Sequence, residues 1–456
     1  MKDATDQKWA IAELASISKV FTDGNWVETK DQAPEGIRLV QTGNVGEGVF
    51  KDRRDKARWI DDQTFERLNC FEVLPGDCLV SRLPDPVGRA CIIPETGDKM
   101  ITAVDCTVIR PDETKIDTRF FVYYSLSSEY LRNVDDRCTG TTRRRISRKN
   151  LGKIPIPLPP LEEQQRIVTV LDEAFDGLTR ARSHAEANLQ NARELFESAV
   201  NSTVLGDLHQ RAGDVRDSGL RRLTEEQRKR ANDKKFRGPR FVASKEVPDL
   251  PKGWAWASPE QLCNHIIDCL HATPKWTSEG EICLRTTNFR VGELDLTEIR
   301  YVSPETYEKR IARLEPKPGD VLYSREGGIL GIACMHPPGL KACLGQRMMH
   351  FRLKVDVMLP EFFCAVLNSA LVLGEVRHFT GGAAAPHLNI GDIRQFPIPV
   401  PPLCEQEAMV EIIESHTDNR RHLQSAYETK IQDIDYLRQS LLQKAFTGEL
   451  TKAEAR

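Results

Sequence analysis

Two runs of basic side chains are the first candidates for chemistry in this 456-residue chain. Between Arg137 and Lys153 lie Arg143, Arg144, Arg145, Arg148 and Lys149, with no acidic residue among them. A second run, Lys51, Arg53, Arg54, Lys56 and Arg58, is interrupted by Asp52 and Asp55. Guanidinium groups neutralise phosphates and can clamp guanine O6 and N7 with two hydrogen bonds, so both runs are candidates for DNA contact. A solvated charged face is the competing reading. In the second half of the chain Arg285, Asn288, Arg290, Arg325, Gln346, Arg347, His387 and Asn389 offer a different set of donors and acceptors. Different polar residues at matching places suit two surfaces that read different base sequences.

Catalytic signatures are missing. No G-x-x-x-x-G-K-[ST] cradle for ATP phosphates, no G-x-S-x-G and no H-E-x-x-H occurs. Gly43 to Gly48 lacks the strand-loop-helix context of a nucleotide loop and reads as a turn. Pro111 to Lys115 has the letters of a nuclease motif without the separation that sets carboxylates around a metal, and no Asn-Pro-Pro-aromatic tetrapeptide of an amino-methyltransferase is present. Asp77 and Asp320 each follow Pro-Gly, a turn signature, and read as structural. Twelve Cys are scattered without C-x-x-C pairs, which implies reduced, buried thiols of a cytoplasmic protein rather than a zinc site or a disulfide framework. The net charge of -3 means that any basic surface is local. No apolar run of about eighteen residues is present, and the first ten residues are not a signal peptide.

The elements that must position these residues come from a repeat. Ile154 to Leu208 returns in register as Phe396 to Leu450: Pro159 to Pro401, Gln164 to Gln406 and Gly206 to Gly448 are each 242 apart by subtraction. Each copy opens on a run with alternate Pro, which excludes a central ladder strand and predicts an edge or connector. A double Pro followed by acidic residues then predicts helix starts near Leu161 and Leu403. From there each helix runs roughly 44 residues, about 65 Å, to a Gly placed for a left-handed cap. Leu171, Ala174, Leu178, Ala181, Ala185, Asn188, Ala192, Leu195 and Ala199 form a heptad seam on the first helix. The second offers larger residues, Leu423, Tyr427, Ile434, Leu437 and Leu441, interrupted by Arg420 and Lys430. Small against large suits close antiparallel packing, which would put two globular parts at opposite ends of a rod.

The globular parts share landmarks. Leu74 to Arg82 returns as Lys317 to Arg325, Phe120-Phe121 as Phe362-Phe363, and Trp9 is matched to Trp256. Strands are expected at Ile37 to Val40, Cys78 to Val80 and Val104 to Ile109, with helices near Asp61 to Leu68 and Phe120 to Arg132. The expected domains are 1–150, a central helical region 151–208, a charged linker 209–248, a second globular unit 249–392 and a distal helical region 393–456. The linker carries roughly eleven Lys and Arg against five Asp and Glu from His209 to Arg240, too polar to fold alone, with a helix around Thr224 to Asp233. The fold class is α+β: two α/β globular units separated by two long helices in an antiparallel coiled coil with approximate two-fold symmetry.

P-P-L-x-E-Q opening a long helix that ends L-G-D-L or T-G-E-L, twice, between two divergent globular units, resembles the specificity subunit of type I restriction-modification systems. The resemblance covers nearly the whole chain. It implies that each globular unit is a target recognition domain reading one half of a split, asymmetric DNA site, while the helices set the spacer. It also implies partners: double-stranded DNA, two methyltransferase (M) subunits and translocase-nuclease (R) subunits, in the prokaryotic cytoplasm and without a membrane. The chain itself would be non-catalytic and hold no cofactor; S-adenosylmethionine, ATP and magnesium would belong to the partner subunits. Leu161, Glu163 and Gln164 with Leu403, Glu405 and Gln406 would form the conserved frame. The DNA-binding candidates are Arg143, Arg144, Arg145, Arg148, Lys149, Arg285, Arg325, Arg347 and Asn389. A solitary DNA methyltransferase or nuclease is the alternative, but no stretch is left for a catalytic domain; a helical scaffold without DNA function leaves the divergence of the two units unexplained.

Overall fold

The prolines at 155 and 157 cannot donate to a sheet, and their strand has a single neighbour. In the computed structural model, which describes residues 9–140, 143–205, 218–231, 233, 236–243, 247, 249–327, 329–380 and 387–451, the chain divides into two units. The first comprises residues 1–187 with 427–456, and the second 188–426. Each long helix therefore begins in one unit and ends in the other.

The first unit contains strands β1 (Ala10–Glu13), β2 (Ser18–Asp23), β3 (Ile37–Val40), β4 (Arg58–Ile60), β5 (Glu72–Val73), β6 (Cys78–Ser81), β7 (Ala90–Ile92), β8 (Met100–Thr102), β9 (Cys106–Pro111) and β10 (Pro155–Leu158). Helices α1 (Asp62–Arg67), α2 (Thr118–Tyr124), α3 (Ser128–Asp135) and α4 (Arg148–Gly152) lie between them, and α5 (Leu161–Val204) follows. Two four-stranded sheets form, in the orders β2-β9-β6-β7 and β4-β3-β8-β5; only β3 and β8 are parallel. β10 pairs with β1 alone, the edge role that alternate prolines require. Asp61, Asp117, Ser127 and Ser147 cap the four short helices, each accepting a backbone N–H with its side chain. The Ser127 cap explains why the helix expected from Phe120 to Arg132 is two: the chain stops and restarts there.

After α6 (Ser218–Arg230), the second unit repeats the plan with β11 (Ala255–Ala257), α7 (Pro259–Leu262), β12 (Cys263–Asp268), β13 (Trp276–Thr277), β14 (Glu281–Leu284), β15 (Tyr301–Val302) and α8 (Pro304–Ile311). β16 (Val321–Ser324), β17 (Ala333–Met335), β18 (Ala342–Leu344), β19 (Met348–Leu353), α9 (Pro360–Leu367), α10 (Ala370–Thr380), α11 (Ile390–Ile393), β20 (Ile398–Val400) and α12 (Leu403–Phe446) complete it. The sheet β12-β19-β16-β17 matches β2-β9-β6-β7, and the parallel pair β14-β18 matches β3-β8. The β11–β20 register places Ala255 opposite Val400, as Ala10 stands opposite Leu158. Trp9 therefore corresponds to Trp254, not to Trp256, because the copies lie 245 residues apart at this end by subtraction (Ala10 to Ala255), whereas Trp256 is 247 from Trp9. Trp256 instead meets the Phe241 ring edge-on, with centroids 4.9 Å apart.

The repeated Pro-Gly-Asp turns are structural in both units. Gly76 and Gly319 take φ of +89° and +86°, conformations costly for any residue with a Cβ. Asp77 accepts from the Leu74 amide at 2.9 Å and from Arg110 at 2.7 Å; Asp320 accepts from the Lys317 amide at 2.9 Å and from Arg352 at 2.8 Å. These carboxylates are engaged in holding the turn to the last sheet strand.

α5 and α12 each span 44 residues, beginning at Leu161 and Leu403. Gly448 has φ of +75° and closes α12; Gly206 lies outside the described residues. The helices run antiparallel inside each unit. In the first, Arg182 pairs with Asp435 at 2.6 Å and Arg438 covers the Phe175 ring at 4.7 Å. In the second, Arg420 covers the Phe196 ring at 5.0 Å. The seam differs from a strict heptad: Leu195 is 71% exposed and Asn188 is exposed, while Leu189 and Phe196 turn inward. A straight helix at 3.6 residues per turn drifts about 20° per heptad, and over four heptads that moves the buried face by one residue. On α12, likewise, Leu423 and Leu437 are exposed, whereas Ile434 and Leu442 are buried. Each globular part also lays its own core on the helices. Phe446 meets Phe120 at 5.3 Å and Tyr124 at 5.1 Å in the first unit; Val200, Val204 and Met409 join Phe351, Phe363 and Phe396 in the second.

The linker is less free than its composition implies. α6 starts earlier than Thr224, and its Leu220 and Leu223 are buried in the second unit's core. Farther along, the buried Glu375 carboxylate accepts from the amides of Val242 and Ala243, at 2.9 and 3.0 Å. Two apolar side chains and one buried acceptor anchor what charge alone would leave solvated.

Candidate nucleic-acid interface

The P-P-L-x-E-Q motif fastens each long helix to its globular part. Gln164 is fully buried at the first turn of α5. Its Oε1 accepts from the Asp117 amide at 2.8 Å, while its Nε2 donates to the carbonyls of Lys115 at 3.0 Å and Pro159 at 2.9 Å. Gln406 repeats this on α12 with the Leu359 amide at 2.8 Å and the carbonyls of Val357 at 2.9 Å and Pro401 at 2.8 Å. An amide is needed here, since the site asks for an acceptor and two donors together. Glu405 accepts from Trp254 Nε1 at 2.8 Å, and Glu163 accepts from Thr451. Leu161 and Leu403 are half-buried beside them.

Near the end of each main sheet a buried arginine ties three segments together. In the first unit Arg82 donates to the carbonyls of Val104 and Ile146 and lies 3.4 Å from Asp23; burial lowers its pKa. In the second unit Arg325 donates to Asp268 at 2.9 Å and to the Leu388 carbonyl at 3.2 Å, and pairs with Glu326 at 2.9 Å. Arg325 was singled out as a DNA donor, yet its side chain is only 5% exposed and its fork is occupied. It is a brace that holds a loop, with its donors engaged inside the unit.

The loops so held carry most of the remaining candidates. Ile146 and Leu388 occupy equivalent places, so Arg143 to Lys149 of the first unit corresponds to the stretch through His387 and Asn389 of the second. The acid-free run is not without partners: Arg144 pairs with Asp135 at 2.6 Å, Arg145 with Asp105 at 3.0 Å, and Arg148 lies 3.9 Å from Asp23. Arg143 and Lys149 are exposed and have no carboxylate partner among the described residues. Arg347 is exposed with φ of +70°, in the turn whose counterpart holds Asp105: the Arg325 amide donates to the Arg347 carbonyl, as the Arg82 amide does to that of Asp105. Asn389 caps α11 and donates to Asp392 at 3.3 Å. Arg285 is elsewhere, at a turn after β14, where it donates to the Glu298 carbonyl at 2.9 Å. Of the second basic run, Arg54 pairs with Asp98 at 2.7 Å, and Asp52 is drawn to the buried Arg38. Burial raises the Asp98 carboxyl, but Arg54 and Arg38 outweigh it and hold the group below its ordinary range.

Burial raises most of the thiols, while Cys283 is lowered by its hydrogen bond with Cys343. Cys91 is pushed up to about 12 and Cys106 to about 11 by burial, and all twelve are free. No single described helix is long and apolar enough to cross a membrane.

Comparison with known proteins agrees with this architecture. The family model for the type I restriction modification DNA specificity domain matches residues 7–188 and 299–432. The EcoBI specificity subunit of Escherichia coli is 23% identical over 350 residues, covering 75% of this chain and 68% of the relative. The EcoKI specificity subunit of Escherichia coli strain K12 is 24% identical over 356 residues, covering 76% and 68%. Among solved structures, a chain from a study of complex assembly and conformational transition of the type I R-M system superposes with a TM-score of 0.70 at 18% identity, over 97% of this chain and 99% of that one. The HsdS subunit from Thermoanaerobacter tengcongensis gives a TM-score of 0.51 at 18% identity, over 97% and 98%. With a family match in both halves and a fold shared end to end, the chain belongs to the type I restriction-modification DNA specificity family.

Proposed function

We propose that this chain is the non-catalytic sequence-reading subunit of a type I restriction-modification complex, each globular unit reading one half of a bipartite DNA site. The observation that carries this is the repeat itself. One frame, with its buried glutamine, arginine brace and two sheets, is built twice, while the exposed loops on it differ in charge: Asp105 stands where Arg347 stands, and Arg145 where His387 stands. Two copies of one scaffold with unlike loops suit two half-sites of unlike sequence. The antiparallel helices, shared by both units, are the element suited to hold the half-sites at a set spacing and to dock two methyltransferase subunits. On this reading S-adenosylmethionine, ATP and magnesium serve the partner subunits, and the assembly works on DNA in the prokaryotic cytoplasm.

The test is co-expression with the methyltransferase subunit of the same locus and mapping of every methylated adenine in the host genome. A two-part motif with a fixed gap is expected. A short continuous motif would mean that one unit alone reads DNA, and absence of methylation from a stable complex would count against the function. The purified chain by itself is expected to show neither methylation nor cleavage; either activity would favour a solitary enzyme.

A further inference from the structure

A small cavity recurs at one place in the two units. After β3 the chain makes a 3-10 turn over Thr42–Asn44, in which the Gln41 amide donates to Asn44 Oδ1 at 2.9 Å and the Lys51 amide to the Asn44 carbonyl at 2.8 Å. After β14 it makes the same turn over Thr286–Asn288, with the Arg285 amide on Asn288 Oδ1 at 2.9 Å and the Asp295 amide on the Asn288 carbonyl at 2.7 Å. Val45 bridges to Phe50 as Phe289 bridges to Leu294. The first turn lines a cavity of about 280 Å³ and the second one of about 270 Å³.

The frame is common and the lining is not. Reading outward from the shared asparagine, Gly43 stands where the second unit has Thr287, and Arg53 where it has Thr297. Gln41 stands opposite Arg285, and Lys51 opposite Asp295. In the second unit the charges are neutralised locally: Arg290 pairs with Asp295 at 2.7 Å, and Thr297 donates to the same carboxylate. In the first, Arg53 has no carboxylate partner among the described residues. It lies against Gly43, where a Cβ would come within 2.9 Å of its Nη1. The missing side chain at 43 is what lets the guanidinium sit in the cavity.

Both half-sites of a DNA duplex offer the same phosphates, so a phosphate contact can be made with the same residue type in both units. A base contact must change wherever the half-sites differ. A shared cavity with exchanged polar groups has the second character. Resting on the DNA-reading function proposed above, we infer that this cavity is where each unit reads a base edge. In the first unit Arg53, positioned by Gly43, is the specificity-determining residue and reads a guanine through O6 and N7, the acceptor pair that a free guanidinium fork fits.

The experiment uses the chain in complex with its methyltransferase subunits. Methylated sites are mapped for wild type, Arg53→Ala, Gly43→Ala and the double variant, with thermal unfolding of each complex as a control for folding. The backbone at Gly43 is not left-handed, so alanine there displaces the end of a flexible side chain and leaves the turn intact. Both single variants are expected to keep one half-site and the spacer while relaxing a single G·C position in the other half. On duplexes with and without that pair, discrimination should fall by about one to two orders of magnitude. The double variant should be no worse than Arg53→Ala, since both act through one guanidinium. A two-part wild-type motif that stays unchanged in folded Arg53→Ala and Gly43→Ala would overturn the inference and leave the proposed function standing. So would weakening that is uniform over all sequences and reduces the salt dependence by about one ion, the signature of a phosphate contact. A wild-type complex with no two-part motif would overturn both.

Discussion

Gln164 and Gln406 show how much a single side chain can decide. Each satisfies one amide and two carbonyls that would otherwise be buried at the joint between helix and globular part. Gln164→Leu strands those groups at about 1–3 kcal/mol apiece, and Gln164→Glu removes both donors and faces two carbonyls with a carboxylate. Either is expected to lower the denaturant midpoint clearly, while Glu162→Gln, one turn face away and exposed, leaves it unchanged. His350 is a second instance. It sits in the middle of β19 with both ring nitrogens unpartnered among the described residues, and burial pushes it down to about 4. The ring is neutral in the fold, whereas the unfolded chain takes up a proton below its ordinary value of 6.5. Stability is therefore complete above about pH 6.5 and is lost as the pH falls from there towards 4. The first unit has Val108 in this place, opposite Leu79 as His350 is opposite Leu322. His350→Val should thus remove about 2 kcal/mol of the stability lost between pH 7.5 and pH 5, read as the difference in urea midpoints at the two pH values.

At the scale of elements, the helix pair is held by an inward face that the exposures identify. Phe196 packs under Arg420 and Leu195 points to solvent, although the heptad pattern favours Leu195. Phe196→Ala is expected to cost about 2 kcal/mol or more, and Leu195→Ala less than about 0.5 kcal/mol. A larger loss for Leu195→Ala than for Phe196→Ala in chemical unfolding would mean that the strict heptad seam is the correct one. Arg438 on Phe175 does the same work in the other unit; of the two cations expected to interrupt the seam, Arg420 lays its stem and charge over an aromatic ring and Lys430 is exposed. α6 belongs to this scale too. Its two leucines fold a segment whose net composition reads as linker, because burial of a few apolar groups on an existing core does not need the segment to be stable alone.

For the whole molecule, the proposed function makes helix length the quantity that sets the gap between half-sites. Inserting four residues into each, between Ala187 and Asn188 and between Ala426 and Tyr427, adds about 6 Å at 1.5 Å per residue, close to two base pairs of duplex at about 3.4 Å each. The methylated motif is expected to keep both ends and gain about two unspecified positions. An unchanged gap in a folded variant would mean that the spacing is set elsewhere.

Much that depends on neighbours in sequence was legible in the residues themselves, although the Ser127 cap that divides the helix expected from Phe120 to Arg132 was not. The prolines that bar a ladder hydrogen bond, the starts at Leu161 and Leu403, the 44-residue lengths, the left-handed glycine at 448 and the Pro-Gly-Asp turns all follow from backbone sterics and donors a few residues apart. The repeat, and with it the family, follows from comparing the chain with itself. What stayed hidden depends on groups brought together from far away. Asp135 and Asp105 reach an arginine run that has no acid of its own, Asp268 and Leu388 consume Arg325, Glu375 anchors the linker, and Gly43 makes room for an arginine ten residues on. The match of Trp9 to Trp254 likewise needed strand register. Charge and burial are properties of a place in three dimensions, and only the tertiary fold decides which arginine is a brace and which is free to meet DNA.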